Sequence, residues 1–185
     1  AKSYAAPVEL GETVTGGGVG KVIKSKNLDF TEGEIVEGFT IGWQQFSIIS
    51  GKFLRKVDPS LAPIQTALGV LGMPGMTAYF GLFEVCKPIP GDTLVVSAAS
   101  GAVGQLVGQL GKIAGCQVLG IAGSKEKCNY IKNQLGFDYT INYKEENVYK
   151  KIKEYFPEGV NVYFDNVGGK IADDVISNIT TFGRI

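Results

Sequence analysis

The residues in this chain best suited to chemistry are glycines. From Thr93 to Gly108 an apolar run, Leu94 to Ala99, leads into Gly101 and Gly104, and apolar side chains then recur at Val103, Leu106, Val107, Leu110 and Ile113. That is a buried strand, a turn and a helix packed on a sheet. Gly101 and Gly104 let backbone N–H groups approach a ligand at the positive end of the helix, an arrangement that holds a diphosphate. Against the pattern G-x-G-x-x-G the segment departs at the first glycine, where Ala99 stands.

A second strand, Val118 to Ala122, ends about 20 residues after the glycine turn, where an NAD-binding unit carries an Asp or Glu for the ribose 2′-hydroxyl. Here stand Gly123, Ser124 and Lys125. No carboxylate occupies the tip to repel a 2′-phosphate. Lys125 and Lys127 fall in the first turn of the next helix, where a cation gains nothing from the helix dipole. The charge logic favours NADP over NAD, although both lysines also suit a solvated surface.

These residues need a frame to hold them. Strand and helix alternate through Val118 to Ala122, Lys125 to Leu135 with Ser124 as N-cap and Gly136 as C-cap, Tyr139 to Tyr143, Glu145 to Phe156, Asn161 to Phe164 and Lys170 to Ile179. Such alternation predicts an α/β fold, a doubly wound parallel sheet with ligands at the carboxyl ends of its strands. Those ends are Ala98 to Gly104, Gly123 to Lys127, Tyr143, and Asp165 to Gly169. Tyr143 could donate to a 2′-phosphate, cover an adenine, or be a half-exposed tyrosine. Asn166 could bond a ribose or a nicotinamide, or simply open a turn.

Before this sheet the texture is β. Short runs, Val19 to Ile23, Ile35 to Phe39 and Gln45 to Ile49, lie between glycine-rich turns, as in part of a barrel or sandwich. No helical period follows Gly16-Gly17-Gly18, so this cluster leads into a strand and not a phosphate loop. Trp43 is expected in the core or in domain packing. Ala62 to Leu71 and Thr77 to Val85 read as linking helices. The expected domains are residues 1–60 and 61–185.

Composition removes several classes of function. The 185 residues carry no net charge and are 44% hydrophobic, which gives no electrostatic case for nucleic acid or membrane partners. Histidine is absent, which excludes Ser-His-Asp and Cys-His nucleophiles and histidine-ligated zinc within this chain. Cys86, Cys116 and Cys128 have no metal-like spacing and read as free thiols of a cytoplasmic protein. No metal site is expected. Both ends read as cut, so the chain is expected to be an internal piece of a longer protein.

Several motifs in order carry a resemblance: Lys2-Ser-Tyr4, Val19-Gly-Lys-Val22, Gly72-Met-Pro-Gly-Met-Thr-Ala-Tyr79, Ala98 to Gly108, Gly123-Ser-Lys-Glu-Lys127, Asn142-Tyr-Lys144 and Tyr163-Phe-Asp-Asn-Val-Gly-Gly169. The sequence resembles the zinc-independent medium-chain dehydrogenase/reductases, within them the alkenal double-bond reductase and prostaglandin reductase group that includes bacterial curcumin reductases. The resemblance implies a GroES-like β-barrel domain, its C-terminal part here, joined to a Rossmann domain in a homodimer. It implies NADP(H) held by a diphosphate loop of Ala98, Ala99, Ser100, Gly101, Ala102, Val103 and Gly104. Lys127 and Tyr143 would hold the 2′-phosphate, with a backbone contact at Gly123, and Asn166 and Thr77 would lie toward the nicotinamide end. The implied chemistry is hydride transfer to the β-carbon of an α,β-unsaturated aldehyde or ketone. Family members carry the tyrosine that serves the enolate beyond the point where this chain stops, so no catalytic residue is assigned. Tyr4, Trp43 and Tyr79 are candidates for the pocket wall. A quinone reductase and a non-catalytic NADPH-binding protein stay open as alternatives.

Overall fold

The structure, a computed structural model, describes residues 7–185. The chain divides into two compact units, the first ending at Met73 and the second starting at Pro74. Tyr4 lies outside the described residues.

The first unit is built on a three-stranded antiparallel sheet, in the order β1 (Gly18–Lys21), β2 (Ile35–Gly38), β3 (Arg55–Val57). Gly16 and Gly17 lead into β1 and no helix follows, as their context predicts. The strand expected over Gln45 to Ile49 does not form. A strand needs a ladder partner and a face to bury, and this segment has neither: it joins no sheet, and Phe46 and Ile48 are exposed. Trp43 is not core: it is 75% exposed, with its indole over Gly16. The helix expected over Ala62 to Leu71 shrinks to one 3-10 segment, Ile64–Leu68. Pro63 precedes it in an extended conformation, and Gly69, at φ −117° and ψ −110°, ends it.

The helix α1 (Met73–Tyr79), in the second unit from Pro74 on, continues into π-helical turns over Phe80–Cys86. Sequence reasoning expected a plain helix from Thr77 to Val85. Ala78, Leu82 and Cys86 keep one face buried, and the Lys87 N–H closes the last turn on the Leu82 carbonyl five residues back.

Five parallel strands follow: β4 (Thr93–Val96), β5 (Gln117–Ala122), β6 (Tyr139–Asn142), β7 (Val160–Phe164) and β8 (Ile179–Arg184), in the spatial order β6-β5-β4-β7-β8. Between them run α2 (Gly104–Ile113), α3 (Lys125–Asn133), α4 (Val148–Tyr155) and α5 (Gly169–Ile176). Both faces of the sheet are covered. Leu94, Val96, Val118 and Ala122 pack with Val107, Cys128 and Ile131 from α2 and α3. Val95, Leu119, Ile121 and Ile141 point the other way, onto Val148, Ile152, Ala172 and Val175 of α4 and α5. This is the doubly wound sheet that the alternation predicts, because strands buried on both faces must be apolar at every position.

Some boundaries move. Ser124 caps α3, accepting the Lys127 N–H at 3.3 Å, while the helix ends at Asn133 and Gly136 turns at φ +76°. The N–H groups of Glu145 and Glu146 bond back to the Asn142 carbonyl, so α4 begins later, capped by the Asn147 side chain. Ile179 does not close α5 but starts β8. Cys86, Cys116 and Cys128 are free, buried and on one face of the sheet. Among the described residues no helix is long and apolar enough to cross a membrane.

Candidate functional site

The strand order reverses at β4, which has β5 on one side and β7 on the other. Chains leaving the carboxyl ends of strands diverge at such a point, and the crevice between them takes a ligand. Beyond Val96 the backbone still touches both neighbours: Ser97 N–H donates to Phe164 O at 3.2 Å and Ala99 N–H to Ile121 O at 3.0 Å.

The glycine turn follows. Ala98 adopts φ +47°, a left-handed conformation that costs a residue with a Cβ about 1 kcal/mol or more. It lets the Ala98 carbonyl accept the Gly101 N–H at 2.9 Å, and Gly101 O accepts the Gln105 N–H at 3.1 Å. The intervening N–H groups of Ala102, Val103 and Gly104 have no acceptor among the described residues. These are the unpaired donors of a helix start, and Gly101 and Ala102 beside them are exposed. Gly104 is buried, and a Cβ there would lie 2.5 Å from Ala98 O and 2.9 Å from Ala99 Cα. Only glycine allows α2 to begin so close to the strand it leaves. The donor row fits an anionic group such as a diphosphate.

At the second tip the ring of Tyr143, 44% exposed, lies on Gly123. Its hydroxyl comes within 3.1 Å of where a Cβ of Gly123 would stand, and the Tyr143 N–H donates to Ala122 O at 3.2 Å. Lys125 and Lys127 are both exposed in the first turn of α3. The same turn holds Glu126, whose carboxyl is kept below its ordinary range chiefly by a hydrogen bond to Ser124.

Asn166 lies on the opposite wall. Its side-chain amide donates to Ser97 O at 2.9 Å and its backbone N–H to Ser97 Oγ at 2.8 Å, which leaves Oδ1 as an acceptor. The Ser97 hydroxyl in turn donates to Asp165 Oδ1 at 3.0 Å, an atom that also receives the Tyr163 hydroxyl at 2.7 Å. Burial pushes the Asp165 carboxyl up, but hydrogen bonds from Gly168, Val167, Tyr163 and Ser97 outweigh it and hold the group below its ordinary range. Burial also pushes the Tyr163 phenol well above its usual range.

The loop residues Ala98 to Gly104 and Asn166 thus meet through Ser97, and Gly123 and Tyr143 touch directly. Thr77 is exposed on α1, four residues before Gly81, which packs on the Phe164 ring at the end of β7. Tyr79 is half-exposed and packs edge-on to Phe80. Sequence reasoning missed Ser97, Tyr163 and Asp165. The hint was a serine inside an otherwise apolar run and an Asp next to Asn166.

Two family models cover most of the sequence: "N-terminal domain of oxidoreductase" over residues 1–57 and "Zinc-binding dehydrogenase" over residues 102–185. The tobacco (Nicotiana tabacum) 2-alkenal reductase (NADP(+)-dependent) is 50% identical over 99% of this chain and 54% of its own length. The chain belongs to the zinc-independent medium-chain dehydrogenase/reductases. Another relative in this group, the (+)-pulegone reductase of Mentha piperita, is 48% identical over 95% of the chain and 52% of its own length. Among solved medium-chain reductases, CurA from Vibrio vulnificus in complex with NADPH superposes with a TM-score of 0.87 at 45% identity, over 99% of this chain and 54% of CurA. The chain spans about half the length of the curated relatives it matches. The name of the second family model mentions zinc, but the donors here do not fit one. There is no histidine, the cysteines are buried in the core, and among the described residues no three His, Cys, Asp or Glu side chains cluster.

Proposed function

We propose that this chain carries the NADP(H) site of a reductase that saturates the C=C bond of α,β-unsaturated aldehydes and ketones. The observation that carries it is the second tip, where Tyr143 lies on Gly123, no acid stands at the end of β5, and Lys125 and Lys127 follow in the first turn of α3. Lys127 and Tyr143 bind the adenosine 2′-phosphate, and Gly123 supplies a backbone contact. The N–H groups of the turn from Ala98 to Gly104 hold the diphosphate. Asn166 offers Oδ1 to the ribose or carboxamide at the nicotinamide end, and Thr77 serves the carboxamide.

Bound NADPH supplies a hydride, here to the β-carbon of the enone. This chain's residues fix and orient the coenzyme, and an electron-poor alkene accepts hydride without a metal. The charge that then develops on the carbonyl oxygen calls for a hydrogen-bond donor, which we assign to no described residue. The names of the tobacco and mint relatives and the NADPH complex of CurA support this reading.

The test is a panel assay of the full protein with NADPH or NADH and an alkenal, an aryl enone and a quinone. Consumption of NADPH with the alkenal or enone, and little with NADH, is the expected result. Turnover of the quinone alone would replace the enone reading with a quinone reductase, and binding without turnover would remove the catalytic reading.

A further inference from the structure

We infer that Asp165 is a positioning residue for the coenzyme, acting through Ser97 and Asn166 to hold the two walls of the crevice in register. The inference rests on the NADP(H) reading above. It starts from what the sheet cannot do. The ladder between β4 and β7 pairs Val96 with Phe164, and its last backbone bond joins Ser97 N–H to Phe164 O. Past that point the two chains separate, one into the diphosphate turn and the other into the loop bearing Asn166.

Side chains continue the ladder. Asp165 Oδ1 receives four donors: Ser97 Oγ at 3.0 Å, Tyr163 OH at 2.7 Å, and the N–H groups of Val167 and Gly168 at 2.9 Å each. Oδ2 receives the Gly168 N–H again at 3.1 Å. With its proton committed to Asp165, the Ser97 hydroxyl has its lone pairs free to accept the Asn166 N–H, and the Ser97 carbonyl accepts the Asn166 amide. Ser97 and Tyr163 are fully buried, so neither can exchange these partners for water. Ser97 immediately precedes Ala98, whose left-handed backbone starts the diphosphate turn. One ionised carboxylate therefore orients the Ser97 hydroxyl that holds the Asn166 backbone, and with it the residue at the root of that turn. A neutral amide at 165 would bring an NH2 into a ring of donors.

A carboxylate that only shaped its own loop would leave the opposite wall untouched, and that difference is measurable. In the full protein, Asp165→Ala and Asp165→Asn should each raise the dissociation constant for NADPH about tenfold, the loss of a charge-assisted network. In an Asn166→Ala background the same substitutions should cost less, because only the route through Ser97 to the diphosphate turn then remains. Ser97→Ala, a milder change, should reproduce part of the effect. Without coenzyme, amide hydrogen exchange should speed up at Asn166 and at Gly101 in both Asp165 variants. An unchanged dissociation constant for the variants, an undiminished effect in the Asn166→Ala background, or exchange accelerated only at 167 and 168 would overturn the role of Asp165 while the coenzyme reading stands. Failure of the unsubstituted protein to bind NADPH would overturn that reading, and the role of Asp165 with it.

Discussion

The methyl group of Ala99 sits where Gly120, on the neighbouring strand, leaves room: a Cβ on Gly120 would lie 2.9 Å from Ala99 Cβ, 2.6 Å from Ile131 Cδ1 and 2.8 Å from Phe137 Cδ1. The glycine absent from the first position of the diphosphate pattern has its counterpart on β5. Gly120→Ala should destabilise the protein by about 2 kcal/mol in urea titrations, the cost of overpacking a dense core. In an Ala99→Gly background the loss should be smaller. Equal losses in both backgrounds would mean that the two residues do not share this space.

Lys127→Ala should weaken NADPH relative to NADH. Loss of a charge-assisted contact to phosphate amounts to about 1–3 kcal/mol, read as the change in the ratio of the two KM values. Lys125→Ala should leave the ratio nearly unchanged. A coenzyme preference untouched by the first substitution would refute the assignment of Lys127 to the 2′-phosphate.

Gly123→Ala presses a methyl group against Tyr143, whose Cε1, hydroxyl and Cζ would lie 3.0 to 3.2 Å away. Because this ring is half-exposed, it should yield and stability should barely fall, whereas NADPH affinity should drop several-fold. In a Tyr143→Ala background the same substitution should cost much less affinity. Calorimetry with NADPH on the unsubstituted protein and the three variants measures both effects, and a purely additive result would separate Gly123 from the tyrosine.

The hydrogen bonds to Asp165 hold its carboxyl below the ordinary 3.8 in the folded protein. A depressed carboxyl contributes stability above its unfolded value, and that contribution is lost as pH falls through the folded value. Relative to Asp165→Asn, the unsubstituted protein should be more stable at neutral pH, and the gap should close in acid. Urea midpoints over a pH series give the comparison. A gap constant across the acid range would show that the charge of Asp165 is not what the loop uses.

The Rossmann half was legible because its signals are local and repeated: an apolar strand, a turn residue and a helical stripe, several times over. Ser124 as N-cap and the glycine turn needed only short-range chemistry. Three things were not legible. The 45–49 segment alternates like a strand, yet pairing depends on a free edge elsewhere. Trp43 has the composition of core but not its place. The role of Asp165 is not legible for a different reason: its partner Tyr163 is in β7 and Ser97 lies just past β4, 68 residues away in sequence. The strain, too, falls one residue from where the motif points, at Ala98 instead of Ala99.

The three cysteines have a practical consequence. All are buried in the core on one face of the sheet, and burial raises the thiol pKa of each, which suppresses the reactive thiolate. A thiol reagent should reach them when the helices and the sheet part on that face. The rate of labelling therefore times the opening of one side of the nucleotide fold, a clock already built into the unmodified protein.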